Sequence, residues 1–417
     1  MQKTHNRWKI AAAAVGVHIS IGSIYAYSVF NRPLQEALGW DPTDTAWAFS
    51  IAILFLGLAA SFLGPTVERI GPRRSALLSA ALFTLGLAVS GVAVRFGWLP
   101  LFYLGYGVIA GTGIGIGYIC PVSTLVKWFP DRRGLATGLA IMGFGFGSLI
   151  AGSLIQWLIA HTGLSLTFFI LAALYGAVMV FSARALALPP PGWMQRTGGG
   201  AANGASVRRD LADLDSLEAL RTARFYFLWV MLFINVTCGI AVISVASPMA
   251  QETAGLTAAA AAAMVGLMGL FNGIGRLGWA SLSDILGRPN TYTAFFVIQI
   301  AAFLALPAVT HPLLFQALIF LILTCYGGGF ASIPAYIGDL FGTRRLASIH
   351  GNILTAWAAA GLAGPLIAAR VRETTGSYSG MLGVFVALLA VALLCSILIQ
   401  FDIRRIRRSS GLATARS

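Results

Sequence analysis

The sequence is short of charge, and shortest of acid: of 417 residues only 10% are charged, with 14 Asp and Glu against 28 Lys and Arg. Cysteine is scarce too. Cys120, Cys238, Cys325 and Cys395 stand far apart with no CxxC spacing, which excludes a disulfide framework or a zinc cluster and leaves four small apolar packing residues. There is no HExxH, no nucleophile elbow and no pair of carboxylates inside one apolar stretch, so no enzyme, cofactor or metal is expected. Repeated polar residues that would ring a channel are missing as well.

What fills the chain instead is apolar: 58% of residues are hydrophobic, more than the interior of a soluble globule of this size holds. Windows of about 20 apolar residues, the length a helix needs to cross a bilayer, recur twelve times. An all-α integral membrane protein of twelve transmembrane helices is expected. Span 1 runs over about Lys9–Phe30, span 4 over Pro100–Trp128, span 8 over Leu256–Leu282, span 10 over Pro312–Asp339 and span 11 over His350–Arg370. The basic start before span 1 resembles a signal peptide, but the apolar run is too long for one and lacks a small-residue cleavage site, so it is read as a retained span.

A net charge of +14 raises nucleic acid as a partner, and the placement of the charge removes it. With an even number of spans, one face receives both termini and the loops after spans 2, 4, 6, 8 and 10. All basic residues lie on that face except Arg32, Arg95, Arg370 and Arg372 on the other and Arg276 inside. The positive-inside rule therefore puts both termini in the cytoplasm of a multi-pass plasma or inner membrane protein, in contact with anionic lipid.

The chain also repeats. Gly64 to Arg74, after span 2, has a reduced copy at Asp284 to Arg288, after span 8, with Gly287 216 residues beyond Gly71. Asp131-Arg132-Arg133-Gly134 and Gly342-Thr343-Arg344-Arg345 form a second pair near that offset. Two pseudo-symmetric six-helix halves follow: residues 1–188, a cytoplasmic linker 189–224, residues 225–408, and a tail 409–417. Within the linker, Leu211, Leu214, Leu217 and Leu220 recur every third residue and predict a short helix along the membrane surface.

One residue demands an explanation of its own. Arg276 lies in the glycine-rich run from Met264 to Trp279, at the middle of span 8. An arginine there costs about 2.5–3.5 kcal/mol on insertion scales, so it needs a partner or a task. None of the fourteen acidic residues falls mid-span. A planar, permanently charged fork suits two-point capture of a carboxylate.

The loop motif Gly64 to Arg74, its copy and the six-plus-six arrangement resemble the major facilitator superfamily. Asn6-Arg7-Trp8, Gly22 to Phe30, Lys127 to Gly134, and Leu220-Arg221-Thr222 with Phe225-Tyr226 are similar to the oxalate/formate antiporter family, close to the monocarboxylate transporters. The resemblance implies a rocker-switch carrier, working as a monomer, whose span 8 arginine, here Arg276, binds a carboxylate at a central site between the halves. Tyr118 and Tyr336 occupy family site positions, and Tyr25 or Tyr27 joins them unless these are interfacial belt tyrosines. Asn272, one turn before Arg276, stands where related carriers have an aspartate. It either hydrogen-bonds substrate or orients the arginine, and a carboxylate proton relay through that position is not expected. Laying Gly351 on the family glycine puts Trp357 where oxalate exchangers carry a second cation. With no Lys or Arg from Gly351 through Ala369, a small monocarboxylate such as lactate, pyruvate or formate is expected over oxalate, with oxalate/formate-type exchange as the alternative.

For proton coupling, His18 is the candidate within a span, a packing histidine being the other reading; His350, at the start of span 11, is expected at the interface. At the cytoplasmic ends, Glu68, Asp131, Asp284 and Asp339 stand near Arg69, Arg73, Arg133, Arg288 and Arg345. These are either the pairs of an inner gate that close and part during alternating access or plain surface ion pairs.

Overall fold

The computed structural model describes residues 6–193 and 210–409; linker residues 194–209 and tail residues 410–417 lie outside it. Among the described residues every regular element is helical, and twelve helices are long and apolar enough to cross a membrane. They are α1 (Arg7–Ala26), α2 (Pro42–Ile70), α3 (Pro72–Phe96), α4 (Leu99–Trp128), α5 (Arg133–Thr162), α6 (Leu164–Ala185), α7 (Ala223–Ala254), α8 (Ala258–Leu286), α9 (Arg288–Ala308), α10 (Pro312–Phe341), α11 (Leu346–Thr375) and α12 (Gly380–Arg408). With no water in the hydrocarbon to take up backbone N–H and C=O groups, helices satisfying their own are what such apolar windows must form.

The chain divides into two compact units. One is Met1–Val207 with Ala347–Ala358; the other is Arg208–Leu346 with Ala359–Ser417. In the first unit α1 does not end near Phe30. It tightens into a 3-10 turn at Ser23–Ala26 and resumes as a helix over Ser28–Leu38, which Gly39 closes at φ 68°. The Ser20 hydroxyl donates to the Gly16 carbonyl and the Ser23 hydroxyl to that of Ser20, the kind of side-chain competition that bends a helix. In α4 a π-helical stretch covers Tyr103–Ala110. Beyond it Gly115 allows backbone contact, since a Cβ there would lie 2.4 Å from the Leu56 carbonyl oxygen of α2.

The segment Ala347–Ala358 packs on α2 in the same unit. A Cβ on Gly351 would fall 1.8 Å from the Ala60 carbonyl oxygen, and one on Gly64 2.6 Å from the Ser348 Cα. Ser61 donates to the Asn352 side-chain oxygen at 2.7 Å. Glu68 at the end of α2 accepts the backbone N–H groups of Ala347 and Ser348 at 3.0 and 3.4 Å, an anion on the first turn of α11.

In the second unit, the predicted surface helix is five residues long, Ser216–Leu220. The stretch before it is held otherwise. Leu211 and Leu214 donate their N–H groups to the carbonyls of Asp339 and Phe341, supplying partners to the last turn of α10, whose carbonyls have none inside the helix.

The repeat is visible at the turns. Gly71 between α2 and α3 has φ 79°, and Gly287 between α8 and α9 has φ 86°. Each donates its N–H four residues back, to Val67 and Ser283, and each accepts from the fourth residue of the next helix, Ser75 and Thr291. A glycine is what this conformation favours, which is why the sequence repeat keeps it.

Candidate substrate site

Arg276 sits on α8 and is 1% exposed. Two glycines make its place. A Cβ on Gly327 of α10 would meet the Asn272 side-chain oxygen at 2.5 Å and the Arg276 Cγ at 3.2 Å, and one on Gly275 would meet the Thr324 carbonyl oxygen at 2.4 Å. The aliphatic stem thus lies on α10 backbone. The guanidinium carbon stands 5.5 Å from the centre of the Phe330 ring, and Nε donates to the Asn272 side-chain oxygen at 3.2 Å. Asn272 therefore holds one edge of the fork, while the ring face lies within cation–π range. In the same unit Tyr336, 1% exposed, has its ring 5.5 Å from that of Tyr292, and its hydroxyl makes no hydrogen bond among the described residues.

The first unit gathers Tyr118, Trp357, Tyr25 and His18. Tyr118 is fully buried, with ring centroids 5.5 Å from Trp357, 5.4 Å from His18 and 5.6 Å from Phe144. Half-buried Tyr25 lies edge-on to Phe144 at 5.1 Å and to Trp357 at 6.2 Å. Tyr27 is elsewhere. Its hydroxyl donates to the Thr45 carbonyl at 2.8 Å and its ring packs with Phe49 and Tyr106. The His18 Nδ1 is 3.0 Å from the Ala14 carbonyl one turn back, a bond that ties the imidazole to its own helix.

His350 departs from expectation. α11 begins at Leu346, ahead of the expected start, so the histidine is on the fifth residue of the helix and fully buried rather than interfacial. Its ring centroid lies 5.9 Å from that of Tyr118. Its burial rests on distant segments, Tyr118 of α4 among them, in a contact that no local pattern announces. Phe330 was equally silent, one phenylalanine among 26.

Of the predicted cytoplasmic-end groups, Asp284 and Asp339 both pair with Arg288, Asp339 at 3.4 Å. Asp131 pairs with Arg7 at 2.8 Å, and that guanidinium also lies over the Phe129 ring. Arg345 joins Arg344 on linker acids, reaching Asp215 at 3.1 Å. Glu68 caps α11 as described. Arg69 and Arg73 are exposed, and Arg133 is buried at the start of α5. Among the described residues no three His, Cys, Asp or Glu side chains come together as a metal site.

The sequence profile of the Major Facilitator Superfamily matches residues 13–365 and 231–412. An Escherichia coli K12 protein described as an uncharacterized MFS-type transporter, YhjX, is 30% identical over 83% of this chain and 84% of its own. The oxalate:formate antiporter of Oxalobacter formigenes is 27% identical over 89% of this chain and 86% of its own. Apicoplast pyruvate carrier 1 of Toxoplasma gondii is 24% identical, with 85% of this chain and 74% of its own covered. In fold, the crystal structure of the transporter FucP in its outward conformation superposes with a TM-score of 0.72 at 16% identity, over 93% of this chain and 98% of that one.

Proposed function

Because the chain belongs to the major facilitator superfamily and is a multi-pass membrane transporter, we propose that it carries small monocarboxylates such as lactate, pyruvate or formate by alternating access, together with a proton. Arg276 binds the carboxylate. The observation that carries this reading is a permanently charged fork withdrawn to 1% exposure on α8, one edge held by Asn272 and one face on Phe330. Such a group gains most from an anion that arrives without water.

Substrate size and charge follow from what stands in α11. From Gly351 through Ala369 the helix offers no cation, and Trp357 presents an indole packed among Tyr118, Tyr25 and Phe144. A second carboxylate would enter an aromatic wall, whereas a methyl or short alkyl group gains contact there. Tyr118, Tyr336 and Tyr25 belong to the site as phenol donors. Tyr27, with its hydroxyl on Thr45, is left out. Both termini face the cytoplasm of the cell membrane, anionic lipid contacts the basic face, and the monomer is the working unit.

Oxalate/formate-type exchange is the second reading, favoured by the 27% identity to that antiporter over 374 residues. Competition on purified, reconstituted protein separates the two. Lactate and pyruvate should displace a bound monocarboxylate at lower concentration than oxalate does. If oxalate displaces it at much lower concentration than they do, the single-cation reading is wrong.

A further inference from the structure

His350 is a fully buried imidazole on α11, and among the described residues neither of its ring nitrogens makes a hydrogen bond. Neutral imidazole carries one N–H donor and one acceptor lone pair, and a buried polar group with both idle calls for an explanation. His18 has one, the bond to the Ala14 carbonyl. His350 does not. Its helix is pressed on α2 at Gly351 and Gly64, and Asn352 is tied to Ser61.

The surroundings say what would occupy those nitrogens. The ring faces Tyr118, which packs in turn on Trp357. Of the titratable groups on the elements packed here, Tyr118 on α4 lies against the ring, His18 on α1 packs on the same tyrosine, and the Glu68 carboxylate on α2 lies on the backbone of Ala347 and Ser348. A positive charge in such a buried place is unfavourable by itself and becomes favourable when an anion enters beside it.

We propose that His350 is the residue on which the co-transported proton rides: its free ring nitrogen takes a proton from water on the entry side as the carboxylate arrives beside Tyr118, and returns it to water on the exit side as the anion leaves. One N–H bond forms and later breaks, and anion and proton together move no net charge. By linkage each ligand raises the affinity for the other by the same factor. The assignment rests on the monocarboxylate-carrier reading and displaces His18 from the coupling role.

Proteoliposomes holding a pH-sensitive dye test it. Wild-type protein given lactate should acidify the lumen as lactate enters. His350→Gln should lose at least about tenfold of that lactate-driven proton flux and show uptake that no longer responds to an imposed pH gradient, while lactate-for-lactate exchange slows far less. His18→Gln should keep the wild-type ratio of protons to lactate, whatever its rate. Proton flux persisting in His350→Gln at the wild-type ratio to lactate overturns the assignment and leaves the carrier reading standing, whereas wild-type protein without lactate exchange overturns the carrier reading itself. Should His350→Gln prove unfolded, ¹⁵N-histidine spectra of the wild type decide, with the His18 signal identified from His18→Gln. An imidazolium signal, other than that of His18, that appears with lactate at fixed pH is expected, and no change in the buried imidazoles on adding lactate overturns it.

Discussion

At Arg276 the guanidinium donates from Nε to Asn272 and lies by the Phe330 ring, with its stem laid on glycine backbone. Its planar, permanently charged fork has the geometry that a carboxylate matches. Arg276→Ala should therefore abolish lactate binding, measured by calorimetry on purified protein, while the elution profile stays monodisperse. Arg276→Lys should also bind poorly, because an ammonium cannot form the two parallel bonds. Binding within about twofold of wild type in either variant rejects the role. This residue was legible from sequence because a lone charge in an apolar run carries a known cost. His350 and Phe330 were not, since a histidine near a helix start and one phenylalanine among 26 are ordinary until a distant segment covers or faces them.

The elements were legible in proportion to how local their causes are. Twelve apolar windows gave twelve helices, and the glycine turns stand where the motif put them. The extension of α1 past its 3-10 turn to Leu38 was missed, because Ser20 and Ser23 act through hydroxyl-to-carbonyl bonds that hydropathy does not register. The Leu211–Leu214 stretch was misread as helix because its hydrogen bonds run to α10 and not to itself. At this scale the contact of α2 with the start of α11 makes a prediction. A valine at 351 would drive its Cβ into the Ala60 carbonyl, a backbone atom that cannot rotate aside. Gly351→Val should part the two helices, so that a thiol introduced as Ser61→Cys reacts with a water-soluble maleimide at least about fivefold faster than in the Gly351 background. An unchanged labelling rate would show that the helices accommodate the side chain where they are.

For the molecule as a whole, the loop motif Gly64 to Arg74, its copy at Asp284 to Arg288 and the six-plus-six arrangement carried the resemblance to the superfamily that the profile match shows, and the matching turns at Gly71 and Gly287 give that repeat a backbone form. The site was legible only as a set of residue types, because which tyrosine meets which helix depends on packing. The hydroxyl of Tyr27 ended on Thr45 for that reason.

α11 has one more property, best put in the language of mechanics. It is a single beam of about 45 Å at 1.5 Å per residue, whose residues through Ala358 belong to one compact unit and whose residues from Ala359 belong to the other. Bending in a beam concentrates where stiffness is least. Gly361, Gly364 and Pro365 follow within two turns of that boundary, and Pro365, inside the helix, brings no N–H to the Gly361 carbonyl. By that missing hydrogen bond the rod is most compliant at this stretch, just past the boundary between the units' residues. Restoring the missing rung with Pro365→Ala should stiffen it, slowing lactate exchange by roughly three- to tenfold while the lactate Kd stays within about twofold; an exchange rate equal to wild type would mean that α11 turns as a rigid piece and the joint lies elsewhere.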